Sequence, residues 1–157
     1  MLPPNLITTA SIRARAEITS KKRLLESLAE LLAVASPQLT TAAVFDRLLQ
    51  RERLGSTGLG HGVALPHARA SDVEQALGAF IQLRSGIDFD AVDNQPVDLA
   101  FALLVPEAAT DEHLRLLASL AEMFTSADLR QTLRQATAPE ELRVILLQPP
   151  ATNPSGP

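Results

Sequence analysis

The 157-residue chain has no cysteine, no tryptophan and no tyrosine, and its only lysines, Lys21 and Lys22, stand side by side. Without cysteine there is no disulfide, no thiolate metal site and no cysteine nucleophile. Five phenylalanines are the whole of its Phe, Trp and Tyr content, which leaves little surface for stacking bases and argues against modules that bind nucleic acid in that way. A net charge of −4 makes general binding to DNA phosphates an equally poor fit, and no nucleic-acid partner is expected. No apolar run approaches the roughly 18 residues of a membrane span. The longest, Leu99 to Val105, is of strand length, so no membrane span is expected. The opening stretch MLPPNLITTASIRARAEI holds no apolar core of signal-peptide length. The expectation is a cytoplasmic protein.

What is present is a core of Leu, Val, Ile and Ala in a chain of single-domain length: 46% of the residues are hydrophobic. Ile12, Ala14, Ala16 and Ile18 alternate with Arg13, Arg15 and Glu17, which predicts a half-buried strand over 12–18. Ser20 is placed to cap a helix whose apolar face is Leu24, Leu25, Leu28, Leu31 and Leu32. A second helix is expected from Thr40 or Thr41, burying Val44, Phe45, Leu48 and Leu49 and ending before Gly55. Short strand-like Val63–Leu65 follows, then strands over 77–84 and 97–105 joined by the turn-rich SGIDFDAVDNQP. The second of these strands reads as buried on both faces, because its apolar run is continuous. Beyond it the pattern is helical. Thr110 is the expected cap of one helix, Ser126 of the next, and Thr137-Ala138-Pro139-Glu140 resembles a capping box with an early proline. Strands mixed with helices, without an internal repeat, give an α/β layered fold with a single domain over residues 1–147; residues 148–157, QPPATNPSGP, read as a disordered tail.

The chemistry concentrates in GSTGLGHGVALPHAR, residues 55–69, which holds four of seven glycines and two of three histidines. The glycines suit either a phosphate cradle of backbone N–H groups or a tight turn between helix and strand. The stretch is no P-loop, since no Lys-Ser/Thr follows, and no dinucleotide fingerprint, since Val63 stands where a third glycine belongs. Ser56 lies in G-S-T-G rather than a nucleophile elbow. Pro66 fixes the backbone directly before His67, so that imidazole is aimed; a neutral ring there offers a lone pair for attack on phosphorus or for proton abstraction, or simply bonds the backbone. His113 shares a helix face with Leu116, Leu117, Leu120 and Phe124 in a first turn. It is suited to donate to a bound anion, or else to serve as a core histidine. His61 and His67 are six apart, not at the spacing of a zinc helix, and no metal site is expected. Arg51, Arg53 and Arg69 are phosphate-binding candidates or solvated residues. Lys21, Lys22 and Arg23 read as a solvated helix start.

Three ordered stretches, R-E-R-L-G-S-T-G-L-G-H-G-V-A-L-P-H, I-D-F-D-A-V-D-N-Q-P-V-D-L-A-F-A-L-L-V-P and D-E-H-L-R-L-L, resemble the enzyme IIA domains of the fructose–mannitol class of the bacterial phosphotransferase system. The likeness is strongest to the nitrogen-regulatory branch, which S-K-K-R-L-L-E near Ser20 also fits, and it spans about residues 6–147. It implies a mixed β-sheet flanked by helices on both faces. It also implies a phosphocarrier that takes a phosphoryl group from an HPr-like phosphohistidine donor. By this resemblance His67, after A-x-P, is the phosphoacceptor, and His113 and Arg51 support the phosphoryl group, with no cofactor. Related sequences often carry asparagine at the position of His61 and glycine at that of Ala68. The implied partners are the HPr-like donor and either regulatory target proteins or, in a sugar-transport alternative, a IIB protein. A non-catalytic binding module is the reading from another class.

Overall fold

The continuous apolar run does become the spine of the sheet. In the computed structural model, which describes residues 2–108 and 110–148, Val97–Pro106 is the strand with most partners. In chain order the elements are β1 (Ile12–Ala16), α1 (Lys21–Val34), α2 (Thr41–Arg53), β2 (Gly58–Gly60), β3 (Val63–Ala64), β4 (His67–Ala70), β5 (Leu77–Ile87), β6 (Val97–Pro106), α3 (Thr110–Met123), α4 (Ala127–Gln135) and α5 (Pro139–Leu147), with a 3₁₀ turn at Thr9–Ser11. The six strands make one mixed sheet, ordered β1-β5-β6-β3-β2, with β4 also paired to β6. β5 and β6 are antiparallel, while β1 runs parallel to β5 and β3 and β4 run parallel to β6.

Period-two alternation sorts the β6 side chains between two cores. Ala100, Ala102 and Leu104 face the cluster built with Leu24, Leu28, Leu32, Val44 and Leu48 of α1 and α2. Leu99, Phe101, Leu103 and Val105 face the cluster of Leu120 from α3, Phe124 just after it, Leu133 from α4 and Leu142 and Leu146 from α5. Helices therefore cover both faces. Phe80, Phe101 and Phe124 pack with ring centroids 6.2–6.5 Å apart in the second core, so three of the five phenylalanines meet in one place. Each fully buried Leu or Phe contributes about 2 kcal/mol of transfer free energy.

The helix starts at Ser20, Thr40 and Ser126 are as expected: each side-chain oxygen accepts from the backbone N–H three residues on. The last helix differs. Ala138, not Thr137, is its N-cap, and the Glu141 carboxylate reaches back to the N–H and hydroxyl of Thr137. The proline at the first helical position moves the cap by one residue. The expected Thr110 cap and the tail after Gln148 lie outside the described residues and side chains. β1 is shorter than 12–18, with a register shift between Arg13 and Ala16 and Arg15 at φ 52°. β5 runs on to Ile87, so the turn-rich connection starts three residues later than expected.

The glycine-rich stretch is more sheet than loop. Gly58–Gly60 and Val63–Ala64 form a tight antiparallel hairpin. β3 and β4 share one register along β6 (Val63 opposite Leu99, His67 opposite Leu103), and the Leu103 N–H donates to Pro66 O at 2.9 Å across the gap. They are one strand interrupted at Leu65-Pro66. Leu65 N–H donates to Thr57 O at 3.0 Å, away from β6; Pro66, whose carbonyl faces β6, has no N–H to give to that ladder, and the pairing is interrupted there. Among the described residues no helix is long and apolar enough to cross a membrane.

Candidate active site

Pro66 ends the interruption and His67 opens β4, at the sheet edge between the last turn of α2 and the first turn of α3. Ala68 and Ala70 take the alternate positions and pack into the α1/α2 core, leaving His67 and Arg69 on the other side of the strand. The His67 ring is half-buried, with Nδ1 2.9 Å from Leu65 O. A carbonyl oxygen can only accept, so Nδ1 carries the hydrogen and the neutral ring keeps its lone pair on Nε2. Burial pushes the His67 pKa below its ordinary value of 6.5; the Leu65 bond opposes this, Arg51 lowers it further and Glu52 raises it.

His113 lies 5.9 Å from His67 between ring centroids, tilted by 55°. It is 7% exposed and its Nδ1 has no hydrogen-bond partner among the described residues. An orphaned buried N–H is the rarer state, so the tautomer that avoids one places the hydrogen on Nε2. Burial lowers the His113 pKa first, and the neighbouring His67 and Arg69 add to the shift. The two rings are thus neutral and opposite in kind: one presents a lone pair at Nε2, the other an N–H.

Both rings line a cavity of about 400 Å³ with Arg47, Gln50, Arg51, Leu54, Ala68 and Arg69. Arg51, in the last turn of α2, is anchored by donation from Nη1 to Gly55 O at 2.9 Å. Arg47, one helical turn earlier, pairs with Glu107 at 3.6 Å. The structure therefore gathers His67, His113, Arg51 and Arg69 in one place. Arg47 and Gln50 were not expected; the signal was the four-residue spacing of Arg47 and Arg51 on a helix. Three guanidinium groups and a neutral imidazole donor around a free imidazole lone pair suit a dianionic phosphoryl group.

Other residues of the stretch lie elsewhere. His61 is exposed at the hairpin turn with φ 56°. Its N–H donates to Asp93 Oδ2 at 2.9 Å, and its carbonyl accepts from Arg134 Nη2 at 2.6 Å; its ring is not among the groups lining the cavity. The glycines do not line the cavity either. At Gly62 (φ 82°) a Cβ would run into Arg134 and come within 2.9 Å of Asp98, so these residues serve the turn rather than a phosphate cradle. Arg53 is also outside the cavity lining. Ala68 occupies ordinary strand backbone, so glycine's freedom is not needed there. Lys21 corrects the solvated-helix expectation: it pairs with Glu52 at 3.1 Å and sits 4.5 Å from the Phe89 ring centre. Among the described residues no three His, Asp or Glu side chains are grouped so as to hold a metal ion.

The family model of the phosphoenolpyruvate-dependent sugar phosphotransferase system, EIIA 2, matches residues 5–148. The chain belongs to this EIIA family. A nitrogen regulatory protein of Pseudomonas aeruginosa is 48% identical over 128 residues, covering 82% of this chain and 83% of that protein. The crystal structure of nitrogen regulatory protein IIA-Ntr from Neisseria meningitidis superposes with a TM-score of 0.87 at 48% identity, over 91% of this chain and 97% of that one. The complex of Escherichia coli enzyme IIA-mannitol with phosphorylated IIB-mannitol contains the same fold, at TM-score 0.75 and 20% identity, over 89% of this chain and 96% of that one. The protein is a phosphotransferase-system component of the nitrogen-regulatory EIIA type.

Proposed function

We propose that His67 Nε2 is the phosphoacceptor of a regulatory phosphocarrier, loaded by an HPr-like phosphohistidine donor. The observation that carries this reading is the His67 Nδ1–Leu65 O bond, which leaves the Nε2 lone pair free in a cavity lined by three arginines. In transfer, the new bond forms between His67 Nε2 and phosphorus as the donor's N–P bond breaks, and the donor nitrogen leaves with that electron pair. The hydrogen stays on His67 Nδ1, donated to Leu65 O, so this chain needs no base. Nearly all the assistance is then positional and electrostatic. The His113 Nε2–H and the Arg51 guanidinium steady the phosphoryl oxygens, and Arg47 and Arg69 add positive field at the same cavity. A dianion placed at this sheet edge changes which proteins dock there, which is how a carrier's phosphorylation state becomes a signal.

The test is incubation with phosphoenolpyruvate, enzyme I and an HPr-like carrier. One acid-labile phosphate per chain is expected, absent in His67→Ala and kept in His61→Ala. Stoichiometric labelling that persists in His67→Ala would overturn the site. A second reading, transfer onward to a sugar-specific IIB protein, is favoured by the solved mannitol IIA–IIB complex of the same fold. It predicts that phosphorylated protein loses its label to a IIB partner; a regulatory protein keeps it.

A further inference from the structure

One buried carboxylate next to the cavity has no part in the transfer just described. Glu52 follows Arg51 at the end of α2, and its side chain is 3% exposed. Its Oε2 accepts from the Thr57 N–H at 2.8 Å, and its Oε1 from the Thr57 hydroxyl at 2.6 Å. Lys21 Nζ, from the first turn of α1, lies 3.1 Å from Oε2 and also pairs with Asp90 at 3.4 Å. The Lys21 ammonium packs against the Phe89 ring as well. Four segments thus meet at the Lys21–Glu52 pair: the start of α1, the end of α2, the entry to the β2–β3 hairpin and the loop after β5.

A buried ion pair is weak evidence for stability, because desolvation offsets most of the attraction. What such a network does supply is a fixed geometry when its acceptor sites are filled, as they are here. The geometry fixed is that of the site. Arg51 is the neighbouring residue and is tied to Gly55 O, two residues before Thr57. Thr57 O in turn accepts from the N–H of Leu65, the residue whose carbonyl holds His67 Nδ1. The bonds run from Glu52 through Thr57 and Leu65 to the His67 ring.

We infer that Glu52, held by Lys21 and Thr57, is a positioning residue that sets Arg51 and the His67 ring against each other. This rests on the reading of His67 as phosphoacceptor. It also predicts a direct electrostatic mark. The charged and titratable groups around His67 are Arg47, Arg51 and Glu52 from α2, Arg69 from its own strand and His113 from α3. Among them Glu52 is the carboxylate, and it raises the His67 pKa.

The experiment uses the whole chain with Glu52→Gln, and Asp90→Asn as control. Asp90→Asn removes the exposed partner of Lys21 and leaves Glu52 intact. Single-turnover transfer from the phosphorylated carrier is followed against carrier concentration, and His67 is titrated by NMR through its ring resonances. In folded Glu52→Gln the maximal transfer rate is expected to fall about tenfold with the half-saturating carrier concentration little changed, and the His67 pKa is expected to drop. Asp90→Asn should match wild type in both. Folded Glu52→Gln with wild-type transfer and an unchanged His67 titration overturns the inference. If Glu52→Gln does not fold, Thr57→Val, which keeps the backbone donor and the Lys21 pair, decides: about threefold slower transfer supports it, and wild-type transfer overturns it. Failure of the phosphoacceptor reading appears separately, as wild-type protein that takes no label, and the NMR titration still reports on Glu52.

Discussion

His61 and His67 stand six residues apart and belong to different physical regions. At the hairpin turn the protein uses the backbone of His61: its N–H meets Asp93, its carbonyl meets Arg134, and its ring is exposed. At the start of β4 it uses the ring of His67, with Nδ1 tied to Leu65 O and the rest set in a cavity with His113 and three arginines. The first region answers to backbone conformation, the second to protonation and field. Substitutions should therefore act on stability in one region and on phosphoryl transfer in the other.

The sharpest contrast is the complete loss of labelling in His67→Ala against its retention in His61→Ala. Next in size is His113→Ala. Removing one preorganised donor to a developing charge costs about a hundredfold in rate, and rapid-quench transfer from the phosphorylated carrier measures it. The fold should survive, since Leu120 and Phe124 still bury the helix. A variant that transfers as fast as wild type removes His113 from the proposed chemistry. On the other side of the comparison, Gly62→Ala should cost about 1–3 kcal/mol, from its positive φ and the collision with Arg134 and Asp98. Denaturant unfolding reads this directly. Transfer per folded molecule should be unchanged, and a loss there would join the two regions after all.

The parts that were legible in the sequence are those whose cause is local. Ser20, Thr40 and Ser126 cap helices because the oxygen and its donor are three residues apart. β6 was visible because seven apolar residues in a row admit few other readings. β4 was not: H-A-R-A has no apolar pattern of note, and it is a strand only because β6 lies beside it. β2, spelled G-L-G, looks like a turn until β3 folds back on it. Lys21 looked solvated because its partner Glu52 is far along the chain. The site divides in the same way. Pro66 marked His67 as aimed, and the apolar face of α3 marked His113, but that the two rings lie 5.9 Å apart depends on β4 and α3 meeting at the sheet edge. No spacing rule carries that; the family likeness supplied it. For the glycines, composition left a tight turn and a phosphate cradle both open, and geometry made them a hairpin turn.

Acid separates the regions by a smaller margin. His67 and His113 both have their pKa lowered from 6.5, chiefly by burial. Between the folded values and 6.5 the unfolded chain binds more protons than the native one, so stability rises with pH in that window. It is fully present above 6.5 and is lost as pH falls toward the folded values. His67→Gln should flatten this slope in urea unfolding measured at successive pH values, and wild-type transfer should hold at pH values where an ordinary histidine is already charged. An unchanged slope in His67→Gln would mean that the buried ring is not what acid attacks.

The smallest effect expected is also the one that probes the turn most cleanly. His61 occupies left-handed backbone at φ 56°, a conformation asparagine tolerates better than most residues. His61→Asn keeps both backbone contacts, to Asp93 and to Arg134, and discards only the exposed ring. Stability should change by less than about 0.5 kcal/mol and transfer should be unaltered, whereas His61→Val, β-branched at the same φ, should lose about 1–2 kcal/mol with transfer again intact. If His61→Asn instead slows transfer while its unfolding midpoint stays in place, the ring of His61 reaches the phosphoryl group during the reaction, and the separation between the two histidines holds only for the resting protein.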